Sequence, residues 1–264
     1  MFNTAILVDE EDNEIIDNDN NGFIEETKQK TKRKKIIRAP LEKCFNTNPN
    51  IIEIGTDEVG RGPLFGRVYS GATVLPRGDT FDHSLMKDSK RFSSTSKINQ
   101  VADYIRQNAV AWAVCYEDER TIDSINILQA AQRAMHRAVA NVYEQMEAKE
   151  LIVSPDNVLI LVDGDYFKTY TNFNKQNGCI SRINHHTIKG GDDKFTSIAA
   201  ASILAKVERD AYISKLCDEN PHLSTQYYIN SNKGYGSRKH LEAIRTHGIT
   251  PWHRKTFGIC KTFT

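Results

Sequence analysis

The sequence has 264 residues, 39% of them hydrophobic, and a net charge of +1, which is enough for one large domain or two modest ones with a core. No apolar run approaches the ~20 residues of a membrane-spanning helix, and the N-terminus lacks the features of a secretory signal, so we expect no association with a membrane. Five scattered cysteines without a CxxC pair fit neither a disulfide framework nor a zinc site and predict a reducing, cytoplasmic compartment.

Residues 1–50 are predicted to be a charged, disordered N-terminal extension. Within the first 38 residues, nine acids are followed by seven bases, and segments of this composition bury too little apolar surface to fold. The basic run at 28–35 could be a nuclear-localisation signal or a tether to nucleic acid, although a solvated tail is the simpler interpretation. The remaining chain is nearly balanced in charge, which argues against a polycationic DNA-coating protein but allows a local basic face.

From residue 51 onward the pattern becomes that of a folded domain, with strand and helix signals separated by turns. The predicted order is strands at 50–57 and 67–76, a helix at 95–109, a strand at 110–116, a long helix at 121–146, strands at 157–165 and 179–188, and helices at 196–216 and 237–248. Two early strands followed by alternating helices and strands predict a mixed α/β layer structure, with residues 51–264 as one domain.

Acidic residues stand where these strands end. Asp57 and Glu58 end the first strand, and Asp163 ends a later one. Asp192 and Asp193 precede a helix. Such positions can meet at one sheet edge, where four carboxylates repel one another unless they are protonated or neutralised by cations. The simpler interpretation of a single strand-end Asp is a turn former, and Asp193 could instead cap the helix.

The ligand chemistry of this acid cluster favours a hard divalent ion. Carboxylate oxygens without a Cys or His partner nearby suit Mg²⁺ or Mn²⁺ rather than zinc. Two such ions about 4 Å apart form the clamp used for in-line phosphodiester chemistry. The sequence therefore predicts a metal-dependent site for phosphodiester hydrolysis.

The motif "DEVGRGPL" sets Arg61 between Gly60 and Gly62, directly after the first two acids. Glycine allows a backbone geometry or a close ligand approach that other residues do not. Arg61 offers a donor fork for a phosphate, and the neighbouring backbone N–H groups can bond sugar oxygens. An acid pair next to this loop indicates a site that binds nucleic acid.

These blocks resemble the ribonuclease HII family over residues 51–258. The resemblance is carried in order by "GTDEVGRGPLFG" (55–66), "KDSKRFS" (87–93), "INILQAAQRAM" (125–135), "LVDGD" (161–165), "KGGDDKFTSIAAASILAKVERD" (189–210), "KGYGSRKHLEAI" (233–244) and "TPWHRKTF" (250–257). It implies an RNase H-like fold, in which a mixed central sheet is flanked by helices and followed by a helical C-terminal part.

The resemblance also implies an activity. Members of the family cut the RNA strand of RNA/DNA hybrids and cut 5′ of ribonucleotides embedded in duplex DNA, leaving 3′-hydroxyl and 5′-phosphate ends. The implied roles are the removal of misincorporated ribonucleotides and of RNA primers. A monomer that uses Mg²⁺ or Mn²⁺, with two ions during catalysis, is expected from the family.

Site residues follow from the same resemblance. Four are implied to be metal-binding catalytic acids: Asp57, Glu58, Asp163 and Asp192. Asp193 is the rival for the fourth position. Three residues, Gly60, Arg61 and Gly62, are implied to probe the ribose 2′-hydroxyl, the group that distinguishes RNA from DNA.

Three further residues complete the expected substrate site. Tyr235, in "GYG", is implied to stack on the sugar after the ribonucleotide. Ser89 and Lys90 could bind backbone phosphate, and the alternative for them is a loop cap and a solvated lysine. Arg67 departs from the family pattern, since it stands where proline is usual.

Two other functions compete with this interpretation. One is a different RNase H-like metal nuclease that acts on DNA branches, which the glycine-rich elements argue against because they suit 2′-hydroxyl sensing. The other is a non-catalytic hybrid-binding protein tethered by its basic run. The presence of all four acids argues against this second function.

Overall fold

The strands and helices follow the predicted alternation. The computed structural model describes residues 39–151, 154–173 and 178–263, and Leu41–Thr264 form one compact unit. Its strands are β1 (Ile52–Val59), β2 (Val68–Val74), β3 (Ala111–Glu117), β4 (Val158–Asp163), β5 (Thr171–Phe173), β6 (Ile180–Arg182) and β7 (Asn184–Ile188). Its helices are α1 (Thr95–Asn108), α2 (Glu119–Ile125), α3 (Ile127–Ala148), α4 (Thr196–Glu219), α5 (Pro221–Thr225), α6 (Ile229–Asn232) and α7 (Arg238–His247).

The central sheet of the described chain has the strand order β3-β2-β1-β4-β7. β2 is antiparallel to β1 and to β3, whereas β4 is parallel to both β1 and β7. The sheet is therefore mixed and lies between helices, which confirms the predicted α/β class. No helix in the described ranges is both long enough and apolar enough to cross a membrane.

The parallel strands deliver the acids to one sheet edge. Thr56 of β1 lies opposite Val162 of β4, so the next residues, Asp57 and Asp163, are neighbours where the pairing of these two strands ends. β7 ends opposite Asp163, and the chain then enters the 3₁₀ turn Gly191–Asp193. Three segments that are distant in sequence therefore meet where their strands end.

Helix α4 lies directly on the backbones of β1 and β2. A Cβ atom at Gly55 would stand 2.4 Å from the carbonyl carbon of Ser197, and one at Gly71 would stand 2.2 Å from the carbonyl oxygen of Ala201. Only glycine permits this approach, and the first ten residues of α4 are buried on all sides as a result. The close packing brings Ser202 next to Asp57.

The opposite face of the sheet is covered by α3. Four apolar residues of this helix, Met135, Val139, Val142 and Met146, are buried against Ile160 and its neighbours. The predicted single helix at 121–146 is nevertheless wrong, because it is divided into α2 and α3. Asn126 has a φ of 67° and caps α3 by accepting a hydrogen bond from the N–H of Gln129, and Asn tolerates this left-handed conformation.

The predicted strand at 179–188 is also divided. β6 pairs with β5 in a separate hairpin, whereas β7 joins the central sheet beside β4. Between them, the side chain of Ile183 is buried and its N–H donates to the carbonyl of Tyr170 at 3.0 Å. The residues of β6 and β7 are half-buried or exposed on both sides of the break, so no change in apolar pattern shows that the pairing partner changes.

A helical C-terminal part packs around its own apolar cluster, in which Phe65 of the motif loop contacts residues of α4, α6 and α7. α7 falls within the predicted helix at 237–248, with Ser237 as its N-cap and Gly248 at its C-terminus. Helices α5 and α6 were not predicted.

The predicted extension at 1–50 falls largely outside the described residues, which begin at 39. In the part that is described, the carboxylate of Glu53 accepts hydrogen bonds from the N–H groups of Phe45 and Asn46. The domain boundary near residue 50 stays a prediction.

Candidate active site

All ten residues predicted for the site line one cavity of about 710 Å³ at the edge where β1 and β4 end. They are Asp57, Glu58, Gly60, Arg61, Gly62, Ser89, Lys90, Asp163, Asp192 and Tyr235. The predicted acids, the glycine loop and the tyrosine therefore share one surface, although they come from segments up to 178 residues apart in the chain.

Asp57 is the most buried of the four acids, with 5% of its surface exposed. Its Oδ1 accepts a hydrogen bond from the N–H of Glu58 at 2.6 Å. The pKa of the Asp57 carboxyl is raised well above its ordinary value by burial and then by the carboxylates of Glu58 and Asp163, while a hydrogen bond from Ser202 opposes the rise. The site therefore concentrates negative charge in a poorly solvated place.

Glu58 forms an ion pair with Arg61 of the same loop, with Oε1 and Nη1 2.9 Å apart. Burial raises the pKa of Glu58, and its hydrogen bond and ion pair with Arg61 act in the opposite direction. Arg61 keeps about half of its side chain exposed, at 50%. Its guanidinium is thus held near the acids and stays accessible from the cavity.

The structure separates Asp192 from Asp193. Asp192 is buried and lines the cavity, and its pKa is raised by burial and by the nearby Asp163. Asp193 instead pairs with Arg91 at 2.8 Å. Asp193 does not cap α4, since the N-cap residue is Phe195 and no side chain caps that helix end. The geometry therefore favours Asp192 as the fourth acid.

The four acids line one cavity, but their carboxylates do not converge on a single point. In the part of the chain that is described, no group of three or more His, Cys, Asp or Glu side chains is arranged to hold a metal ion. Glu58 is turned to Arg61, and Asp163 Oδ1 accepts the N–H of Gly191 at 2.7 Å. The donors themselves, four clustered carboxylates, fit a hard divalent cation; their side-chain conformations do not enclose one.

The glycine loop is supported from below by two buried arginines. Gly60 has a φ of +94°, and a Cβ there would stand 2.4 Å from Nε of Arg209, so both conformation and space require glycine. Arg254 donates hydrogen bonds to four carbonyls of the loop region, and the shortest is 2.6 Å to Gly60. Beyond the loop, the Tyr235 ring lies close to Gly62, 3.6 Å from where a Cβ would stand.

Ser89 and Lys90 reach the cavity in different ways. Ser89 is buried and its hydroxyl lies 3.1 Å from that of Ser202, so it belongs to the hydroxyl cluster behind Asp57. The Lys90 side chain is 79% exposed, with Nζ 3.7 Å from Asp192 Oδ2. Of these two residues, Lys90 is the one that can meet a phosphate, and a direct phosphate contact by Ser89 is not supported by its burial.

A buried histidine pair lies behind Tyr235. His253 Nδ1 accepts the N–H of Thr250 at 2.9 Å, so its proton is on Nε2, which faces His240 Nε2 at 3.1 Å. His240 must then accept there and donate from Nδ1 to the carbonyl of Tyr235 at 2.9 Å. Burial and the neighbouring His240 lower the pKa of His253 to about 3. A second proton on this ring would go to Nδ1, where it would face the N–H donor of Thr250.

Several residues beyond the predicted ten support or line the site. Ser202 and Asp210 line the cavity, and Lys206 does so while paired with Asp210 at 2.8 Å. Sequence reasoning missed Ser202, Asp210 and Arg209, although Ser202 gives a signal as a hydroxyl within the apolar run "IAAASILA". Arg254 belongs to the matching block at 250–257, but the burial of Arg209 and Arg254 could not be read from the sequence, because an arginine is expected at the surface until its burial is known.

The departure at Arg67 has a structural account. Its guanidinium lies over the rings of Tyr116 and Tyr212, 4.0 and 4.3 Å from their centroids. This cation–π arrangement stands apart from the acid cluster, because Arg67 does not line the acidic cavity. Arg67 therefore leaves the predicted site intact.

Known proteins resemble this chain in sequence and in fold. The sequence model of the family described as Ribonuclease HII matches residues 54–260. A ribonuclease HII of Phocaeicola vulgatus is 42% identical over 215 residues, which cover 81% of this chain and 93% of that protein. The ribonuclease H2 of Pyrococcus horikoshii shares the fold, with a TM-score of 0.58 at 21% identity over 81% of this chain and 97% of that one.

A further solved structure shares the fold at lower coverage. Bst-RNase HIII, in a complex with Mn²⁺, has a TM-score of 0.51 at 20% identity and covers 75% of this chain and 63% of its own. Sequence similarity over most of the chain and a common fold lead to one conclusion. The chain belongs to the ribonuclease HII family, whose members are metal-dependent nucleases.

Proposed function

We propose that this protein is an endoribonuclease that cuts the RNA strand of RNA/DNA hybrids and cuts 5′ of single ribonucleotides embedded in duplex DNA. The observation that carries the proposal is the meeting of four acids with an exposed glycine loop and a tyrosine in one cavity. The acids supply a place for phosphodiester hydrolysis, and the loop and ring supply a surface for a sugar. Neither part alone distinguishes a ribonuclease from another metal hydrolase.

Asp57, Glu58, Asp163 and Asp192 are the residues that would hold the divalent cation, Mg²⁺ or Mn²⁺. When bound, a pair of such ions activates water and stabilises the leaving 3′-oxygen in phosphodiester hydrolysis. Bst-RNase HIII, whose fold this chain shares, has been observed with Mn²⁺. Ser202 supports the arrangement from behind, because its hydroxyl bonds the Asp57 carboxylate.

The substrate side of the cavity is basic and partly aromatic. Arg61 and Lys90 keep 50% and 79% of their side chains exposed, so both can meet phosphates of a bound strand. Tyr235 is 48% exposed beside Gly62. A sugar held between the loop and this ring would meet backbone amides on one side and an aromatic face on the other.

The cellular role that follows is removal of misincorporated ribonucleotides and of RNA primers, in the cytoplasm and by a monomer. The products carry 3′-hydroxyl and 5′-phosphate ends, because water attacks the phosphorus and the 3′-oxygen leaves. The nucleic acid is the partner in this proposal.

The test uses an end-labelled DNA duplex with one internal ribonucleotide, incubated with Mg²⁺ or Mn²⁺ beside an all-DNA duplex and a branched DNA. We expect a single cut 5′ of the ribonucleotide by the wild type and none by Asp57→Asn, which keeps the size of the side chain and removes its charge. Binding without cleavage in either metal would instead identify a recognition protein. Cutting of the branched DNA at an equal rate would identify a different nuclease.

A further inference from the structure

Arg254 is a fully buried arginine whose hydrogen bonds go to backbone carbonyls rather than to a carboxylate. Nη2 donates to Gly60 at 2.6 Å, and Nη1 donates to Arg61 at 2.9 Å and to Pro63 at 2.8 Å. Nε donates to Gly66 at 2.8 Å. The guanidinium therefore holds the carbonyl groups on both sides of the glycine loop.

This arrangement determines where the amides of the loop point. The peptide bonds of the described chain are trans, and in a planar trans peptide the N–H points opposite to the preceding carbonyl. Because the carbonyls of Gly60 and Arg61 face Arg254, the N–H groups of Arg61 and Gly62 face away from it. Neither N–H has a hydrogen-bond partner among the described residues, and both residues line the cavity.

Arg254 is itself fixed by the chain around it. Its N–H donates to the carbonyl of Leu64 at 2.8 Å, and the N–H of Gly66 donates to Trp252 at 2.8 Å. Phe65 and His253 form an antiparallel bridge between the same two segments. The guanidinium therefore reaches the loop from a segment nearly 200 residues further along the chain. Backbone pairing between the two segments fixes the orientation of Arg254.

Burying a cation is costly unless it is well bonded, and Arg254 meets this condition through the four carbonyls. An apolar side chain of similar volume would fill the space but would leave these carbonyls without donors and without a fixed orientation. Only a guanidinium offers a planar fork that donates to several carbonyls at once. The outward orientation of the Arg61 and Gly62 amides depends on this fork.

We propose that Arg254 is a positioning residue for ribose recognition: it orients the peptide planes of Gly60 and Arg61 so that the amides of Arg61 and Gly62 present two donors to the 2′-hydroxyl and its phosphate. The inference rests on the proposed function and adds to it the group that sets the recognition loop. Arg254 does not touch the substrate, and it acts through the loop alone.

The experiment measures discrimination between ribose and deoxyribose. Cleavage of the single-ribonucleotide duplex gives KM, and inhibition of that cleavage by the all-DNA duplex gives Ki. Both constants are independent of the fraction of folded enzyme, whereas kcat is not. The variants are Arg254→Met and Arg254→Lys, and the control is Ile244→Ala, a fully buried core change in the C-terminal cluster.

We expect the ratio of Ki to KM to fall about tenfold in Arg254→Met, the effect of losing one or two well-placed hydrogen bonds. Arg254→Lys keeps the charge without the fork, so a fall in that variant too assigns the effect to orientation. Ile244→Ala should lower thermal stability and keep the ratio. For a variant that does not cut, dissociation constants for the two duplexes from fluorescence anisotropy replace KM and Ki.

An unchanged ratio in both Arg254 variants, with losses in stability and kcat like those of Ile244→Ala, would overturn the inference. A wild type that does not cut would instead overturn the proposed function, so the two failures are distinct. Amide hydrogen exchange in the wild type adds a measurement that needs no variant. We expect fast exchange at Arg61 and Gly62, slowed by the ribonucleotide duplex more than by DNA; slow exchange in the free protein would contradict the outward orientation.

Discussion

Replacing Gly60 by alanine should destabilise the protein by an amount that the structure allows us to estimate. Gly60 has a φ of +94°, and its new Cβ would stand 2.4 Å from Nε and 2.8 Å from Cδ of Arg209. A left-handed conformation costs an L-residue about 1–2 kcal/mol. The clash is a second cost, because the Arg209 side chain is fully buried and must move.

The size of that second cost follows from what Arg209 would lose. Its shortest hydrogen bond is the one from Nη2 to the carbonyl of Lys233 at 2.9 Å, and a bond to a charged group contributes about 1.5–3 kcal/mol. Together with the backbone strain, Gly60→Ala should lower the free energy of unfolding by about 2.5–5 kcal/mol. For a domain of this size the melting temperature should fall by about 5–20 °C.

Urea denaturation of three variants separates the two costs. Gly190 has a φ of +62° with nothing within 4 Å of the position that a Cβ would take, so Gly190→Ala should carry the backbone cost alone. Gly78 has open space and no positive φ, so Gly78→Ala should stay within about 0.5 kcal/mol of the wild type. If Gly60→Ala is destabilised no more than Gly190→Ala, then Arg209 does not constrain the loop and the argument fails.

Three further predictions concern the acids, the metal and the histidine pair. Asp192→Asn should lower kcat/KM at least about 100-fold, whereas Asp193→Asn, which weakens the ion pair with Arg91 outside the cavity, should stay near the wild type. Equal losses in both would contradict the assignment of the fourth acid. Mg²⁺ or Mn²⁺ at about 100 times its Kd should raise the free energy of unfolding by about 2.7 kcal/mol, and EDTA should reverse this stabilisation. Thermal melts of Asp57→Asn should show no stabilisation by either metal. Because folding lowers the pKa of His253 from 6.5 to about 3, the unfolded chain binds a proton at a higher pH than the folded protein does. The contribution of His253 to the free energy of unfolding should therefore be fully present above pH 6.5. It should fall by about 1.4 kcal/mol per pH unit as the pH drops from 6.5 towards 3. Denaturation curves of His253→Gln should show a flatter pH dependence, and an unchanged slope would remove His253 as its cause.

The acids could be predicted because their positions are a local property of the sequence. Strand signals are readable from apolar runs, and they place Asp57 and Glu58 in the last part of β1 and Asp163 at the end of β4. Parallel strands bring such ends to one edge, so the meeting of Asp57 with Asp163 follows from topology. Resemblance to the family then supplied the remaining members of the site.

The breaks within two elements and the choice between Asp192 and Asp193 could not be predicted from the sequence pattern. The helix break at Asn126 interrupts an apolar pattern that continues into α3. The strand break at Ile183 lies between two strands without buried residues, so no change in apolar pattern marks it. Asp192 and Asp193 are neighbours with identical side chains. Only the path of the turn decides which one enters the cavity and which one meets Arg91.

The sequence by itself therefore determined the fold class, the strand-end acids and the glycine loop, since each depends on spacing and residue type within a short segment. The tertiary structure decided which of the two aspartates lines the cavity and what holds the loop. Arg254 lies 194 residues from Gly60, and its side chain becomes a support only after both segments are buried against each other. Burial of that kind depends on contacts between distant segments, which no local pattern records.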